Sequence, residues 1–128
     1  MDTILGFDFG TKRIGVAVGD TLIKSAQALE IVPSDPKDAR WSRIETLIKT
    51  WKPSLVVVGR PSYPDGAPHE MTRAAEKFAR SLAGRFCVKT VMVDERYSSA
   101  VIEADASEHI DDLSACLILN QWFAENGK

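Results

Sequence analysis

The sequence predicts an α/β fold: a single mixed five-stranded sheet flanked by helices. Three observations carry this. Short β-branched and apolar runs recur along the 128 residues. The first three are separated only by turns, which join antiparallel neighbours. The later ones alternate with stretches of helical periodicity, and helical crossovers join parallel strands. At 45% hydrophobic and 27% charged residues, the chain has the composition of an ordinary globular protein and the length of one domain, spanning 1–128.

Residues 3–9 and 13–20 form the first two strands, joined at Gly10-Thr11-Lys12 by a short hairpin turn. A third, weaker strand is expected over 22–32, followed by the turn residues Pro33-Ser34-Asp35-Pro36. A helix follows over 39–51, because Trp41, Ile44, Leu47, Ile48 and Trp51 recur at steps of three and four. Pro53 ends it. Residues 54–59 are a continuous β-branched run, as in a strand covered on both faces. After a loop over 60–67, a second helix is expected over 69–85, with Met71, Ala75, Phe78 and Leu82 inward. A fifth strand over 87–93 ends at Asp94-Glu95-Arg96. Ser98 and Ser99 cap a short helix reaching Ala106, and a final helix spans 111–125.

The balance of 16 basic and 18 acidic residues is unlike that of a strongly basic nucleic-acid binder. The charge is unevenly placed, at net +3 over residues 1–96 and net −5 over 97–128. Cys87 and Cys116 lie in apolar settings without metal-ligand spacing, and read as buried thiols of a cytoplasmic protein. The N-terminus lacks the basic flank of a secretory signal, and no apolar run approaches the ~18 residues of a membrane span.

Three carboxylate positions carry the chemistry. Asp8 interrupts the apolar strand Phe7-Asp8-Phe9, where an ionised carboxylate is costly without a partner. Asp94 and Glu95 close the fifth strand, where a parallel sheet opens to ligands; alternation turns them to opposite sides, so at most one enters a shared site. Asp111 opens the last helix on a face with Ser114, Ala115, Ile118 and Trp122. Carboxylates drawn from a first strand, a late strand end and a last helix suit Mg²⁺ or Mn²⁺, which take oxygen ligands. Two such ions can clamp a scissile phosphodiester. His69 and His109 show no ligand spacing and read as surface residues.

Four blocks in this order resemble the YqgF family, RNase H-like bacterial proteins described both as pre-16S rRNA nucleases and as Holliday-junction-resolvase homologues. They are Phe7-Asp8-Phe9-Gly10-Thr11-Lys12-Arg13-Ile14-Gly15-Val16-Ala17, then Val57-Val58-Gly59-Arg60-Pro61 with Asp65-Gly66, then Val93-Asp94-Glu95-Arg96 with Ser98-Ser99, and finally 110–119. The resemblance implies an RNase H-like fold with sheet order 3-2-1-4-5. It implies a catalytic and metal site of Asp8, Glu95 and Asp111, and favours Glu95 over Asp94. Thr11, Lys12 and Arg13 would position phosphate, and Arg60 and Arg96 would meet the nucleic-acid backbone. The chain departs from the family pattern at Arg60, at Tyr63-Pro64 and in the short acidic stretch 104–109, which is expected to weaken phosphate binding.

The implied function is a Mg²⁺- or Mn²⁺-dependent nuclease acting on pre-16S rRNA, with ribosomal precursor particles as partners, working as a monomer or weak homodimer without a membrane. A junction-cutting DNA resolvase and a non-catalytic nucleic-acid or ribosome-binding module are the alternatives. An actin-like nucleotide-binding domain shares the Asp-x-Gly-Thr turn, but lacks in this length the second domain that closes over a nucleotide.

Overall fold

A computed structural model describes residues 2–10, 13–62, 70–96 and 112–126. Its strands are β1 (Thr3–Asp8), β2 (Arg13–Asp20), β3 (Ala26–Pro33), β4 (Leu55–Ser62) and β5 (Thr90–Arg96). Its described helices are α1 (Lys37–Trp51), α2 (Glu70–Phe86) and α3 (Asp112–Asn126). The sheet order is β3-β2-β1-β4-β5. β1 pairs antiparallel with β2 and parallel with β4, and β4 pairs parallel with β5. Sheet class and order agree with expectation. The short helix expected to reach Ala106 lies outside the described residues, as do His69 and His109.

Strand alternation divides the core into two layers. Leu5, Phe7, Ile14, Val16, Val56 and Val58 face α1 and α2, where they meet Ile44, Leu47, Phe78 and Leu82. Ile4, Ala17, Val57 and Val93 face α3, against Ala115, Ile118, Leu119 and Phe123. The centre of the first layer is aromatic. Phe78 stacks on Phe9 at 4.8 Å and on Trp41 at 5.5 Å, and meets Phe7 edge-on at 5.9 Å. Trp51, expected to face inward, is 37% exposed at the end of α1.

Element ends depart from the sequence reading for local reasons. β3 starts at Ala26, not at residue 22, because Asp20 Oδ1 accepts the Leu22 and Ile23 amides at 3.0 and 2.6 Å and holds both residues in a turn. The apolar pair Leu22-Ile23 is left exposed. β4 continues to Ser62 because its pairing with β5 persists through Arg60↔Asp94, Pro61↔Glu95 and Ser62↔Arg96. Pro61 is tolerated there because β1 has ended, and a proline needs no partner on an open side. β5 starts at Thr90, not at residue 87. Cys87 instead takes a left-handed φ of 52° and donates its amide to the Ala83 carbonyl at 3.0 Å, stopping α2. Its thiol is exposed, contrary to expectation, whereas Cys116 is buried.

α3 is placed by two glycines. A Cβ on Gly6 would stand 3.2 Å from Leu119 Cβ and 3.3 Å from the Ala115 carbonyl oxygen, and one on Gly19 would stand 2.9 Å from the Phe123 ring. Gly19 pairs with Ile4, near the start of β1, and Gly6 lies two residues further along it. The helix therefore runs antiparallel to β1, with its N-terminal half toward the end where Asp8 sits.

Candidate nuclease site

Asp8 is the last residue of β1, pairs with Gly15 and is only 5% exposed. It shares strand parity with Ile4 and Gly6, so it lies on the α3 face of the sheet. α3 begins at Asp112, three residues before Ala115, and at ~1.5 Å per residue that stretch carries the helix start toward Asp8. The positive end of the helix dipole is thus directed at the end of the sheet that bears the carboxylate.

Register decides which position of the Asp94-Glu95 pair shares that face. Phe7 pairs with Val58, so the next row sets Asp8 beside Gly59, which pairs with Val93. Position 95 has the parity of Val91 and Val93, both on the α3 side. Position 94 has the parity of Met92, which packs on the α1–α2 side. The strand between Asp8 and β5 carries glycine in Asp8's own row, so no side chain rises from it there.

The other expected site residues divide between the two faces. Arg13 starts β2, is exposed, and has the parity of Ala17, on Asp8's side of the sheet. Arg60 has the parity of Val58 on the opposite side, where its Nε lies 3.2 Å from Glu76 Oε2 of α2. The structure therefore does not bring Arg60 to Asp8's face. Arg96 ends β5 opposite Ser62. Thr11, Lys12 and Asp111 lie outside the described residues, as do Tyr63-Pro64, Asp65-Gly66 and the acidic stretch 104–109. Among the described residues no group of three or more His, Cys, Asp or Glu side chains converges. Of the expected carboxylate set, Asp8 and position 95 fall among the described residues, and Asp111 does not.

Sequence reasoning missed the support behind the turn that follows Asp8. Ser34 is fully buried, and its hydroxyl donates to the Gly10 carbonyl at 2.6 Å. Arg40 in turn donates from Nε to the Ser34 carbonyl at 2.9 Å and from Nη2 to its hydroxyl at 3.2 Å. The chain two residues past Asp8 is thereby tied to α1. In the sequence Ser34 looks like ordinary turn chemistry, and nothing local signals a partner 24 residues away.

A profile described as "RuvX: Holliday junction resolvase" matches residues 2–125. The chain belongs to the RuvX family. A RuvX relative from Polynucleobacter necessarius, named "Putative pre-16S rRNA nuclease", is 46% identical over 125 residues, covering 96% of this chain and 85% of its own. A Burkholderia thailandensis protein of the same name is 47% identical over 126 residues, covering 94% and 86%. Among solved structures, Thermus thermophilus RuvC in complex with a Holliday junction superposes with a TM-score of 0.61 at 17% identity, over 96% of this chain and 95% of that one. The fowlpox virus Holliday junction resolvase gives 0.55 at 13% identity, over 96% and 97%. These distant likenesses establish for this RuvX chain the RNase H-like fold of RuvC-type resolvases.

Proposed function

We propose that this RuvX protein is a metal-dependent nuclease that hydrolyses phosphodiester bonds in structured RNA, processing the 5′ end of pre-16S rRNA. The observation that carries this reading is the placement of Asp8. A buried carboxylate closes the first strand, on the sheet face against which the last helix runs toward it. The names of the relatives near 46% identity favour the ribosomal substrate. The reading takes residues 1–128 as one nuclease domain of the cytoplasm, a monomer or weak homodimer, with ribosomal precursor particles as partners.

The donor set fits hard divalent ions, since every proposed ligand is a carboxylate. Asp8, Glu95 and Asp111 would hold one or two Mg²⁺ or Mn²⁺ ions. When bound, such ions make the attacking water more acidic and offset charge on the scissile phosphate. The chain's own residues do the rest. Asp8 is held by β-pairing on one side and by the Gly10–Ser34–Arg40 tie on the other. Thr11, Lys12 and Arg13 follow it in the sequence, and bind the phosphates flanking the cut. Arg96 extends the backbone contacts at the same end of the sheet, whereas Arg60 is engaged with Glu76 on the opposite face. Phosphate contacts of this kind set register without reading sequence.

Asp8→Asn tests the reading. The purified protein is given a precursor ribosomal RNA fragment, single-stranded RNA, duplex DNA and a four-way DNA junction, with Mn²⁺ or Mg²⁺ and with chelator. Cleavage of the precursor RNA by the wild type, abolished by chelator and by Asp8→Asn at unchanged thermal stability, is expected. Preferred cutting of the junction would assign the recombination activity that the family's description names. Equal cleavage by wild type and Asp8→Asn would remove Asp8 from the site.

A further inference from the structure

On the face of the sheet opposite α3, α1 and α2 border a cleft of about 320 Å³. Phe9, Lys37, Arg40, Trp41, Lys77 and Arg85 are among its lining residues, and among the described residues no carboxylate lines it. The Arg85 guanidinium lies over the Trp41 ring at 4.3 Å, and that of Arg40 over Phe9 at 5.2 Å. Both arginines are thereby held in place by aromatic surface before any ligand arrives. Lys37 and Lys77 are exposed. Among the described residues, none of the four cations forms an ion pair. Arg43, Lys49 and Arg60, by contrast, each have a carboxylate partner.

Arg40 is held below its ordinary pKa, first by burial; Asp35 opposes the shift and the neighbouring Arg85 adds to it. A cluster of fixed cations in a concave, aromatic-walled site is the electrostatic counterpart of a phosphate chain. Its position links it to the candidate nuclease site. Phe9 lines the cleft and directly follows Asp8, and Arg40 holds Gly10 through Ser34. Strand alternation turns Asp8 and Phe9 to opposite faces, so a strand passing over this end of the sheet meets Asp8 on one side and the cleft on the other.

We propose that the cleft between α1 and α2 is a second phosphate-backbone site, gripping the substrate strand that flanks the cut through Lys37, Arg40, Lys77 and Arg85. The proposal rests on the nuclease reading above and extends it to residues that the sequence reading did not connect.

The test is binding of labelled single-stranded RNA and of a labelled four-way DNA junction, followed by fluorescence anisotropy across a salt series. The triple variant Lys37→Gln/Lys77→Gln/Arg85→Gln is compared with wild type and with Lys89→Gln, an exposed lysine beyond the far end of α2. A double variant that retains Arg85 guards against loss of its packing on Trp41, and melting curves check each fold. We expect the triple variant to bind at least about tenfold more weakly at low salt. Its salt dependence should be shallower, by roughly 0.7 in log–log slope for each phosphate of a single strand that the variant no longer neutralises. Lys89→Gln should match wild type. Wild-type binding and cleavage with unchanged affinity and slope in both cleft variants would overturn the cleft while leaving the nuclease reading intact. Weakened binding of inorganic phosphate alone, with oligonucleotide affinity unchanged, would also overturn the backbone assignment. A wild type that neither binds nor cuts any nucleic acid would remove the nuclease reading and the cleft with it.

Discussion

Gly19 shows how one absent side chain positions the last helix. A Cβ there would meet the Phe123 ring at 2.9 Å and the Ser25 carbonyl oxygen, which is backbone and yields little, also at 2.9 Å. Gly19→Ala should therefore lower stability by about 1–3 kcal/mol, as overpacking does, read as a reduced denaturant midpoint at unchanged m-value. Gly6 is the gentler case, at 3.2 Å from Leu119 Cβ. The residue scale also marks a limit of sequence reading. That Asp8 needed compensation was evident from its apolar neighbours. That Ser34 and Arg40 would brace the turn beyond it was not, because the contact joins residues 24 positions apart.

Elements were legible where one periodicity dominated. β1, β2 and the apolar face of α2 follow directly from apolar spacing. The errors fall where a local hydrogen bond overrode composition. Leu22 and Ile23 have strand character, yet the Asp20 carboxylate gathers their amides into a turn. Cys87 belongs to an apolar run, yet it ends α2 in a left-handed conformation. Choosing between Asp94 and Glu95 needed alternation together with knowledge of which face α3 covers, and only the assembled sheet supplies the second. The aromatic layer under α1 and α2 yields its own prediction. Phe78 touches Phe7, Phe9 and Trp41 and is 2% exposed. Phe78→Ala should cost about 3–5 kcal/mol and lower the thermal midpoint. Because Phe9 and Trp41 also line the basic cleft, the substitution should weaken nucleic-acid binding beyond the drop in folded protein, measured at a temperature where the variant remains native.

For the whole molecule, net charge was a poor guide. A formal charge of −2 argues against a nucleic-acid binder, yet Lys37, Arg40, Lys77 and Arg85 converge from two helices into one cleft that no carboxylate among the described residues lines. Their separation in sequence hides the cluster until the sheet brings α1 beside α2. The same sheet collects Asp8, position 95 and the start of α3 at one end. Fold and family were thus readable from four ordered motifs, whereas the division of labour between the two faces was not. The proposed nuclease stands or falls on a divalent-metal site built on Asp8 at this end of the sheet. Anomalous diffraction from crystals soaked in Mn²⁺ would locate such ions independently of any activity. A Mn²⁺ peak coordinated by the Asp8 carboxylate and shared with Glu95 and Asp111, absent from Asp8→Asn crystals, is the predicted result. An Asp8 site without Mn²⁺ in a crystallised protein that cleaves RNA under the same Mn²⁺ concentration would contradict the metal assignment.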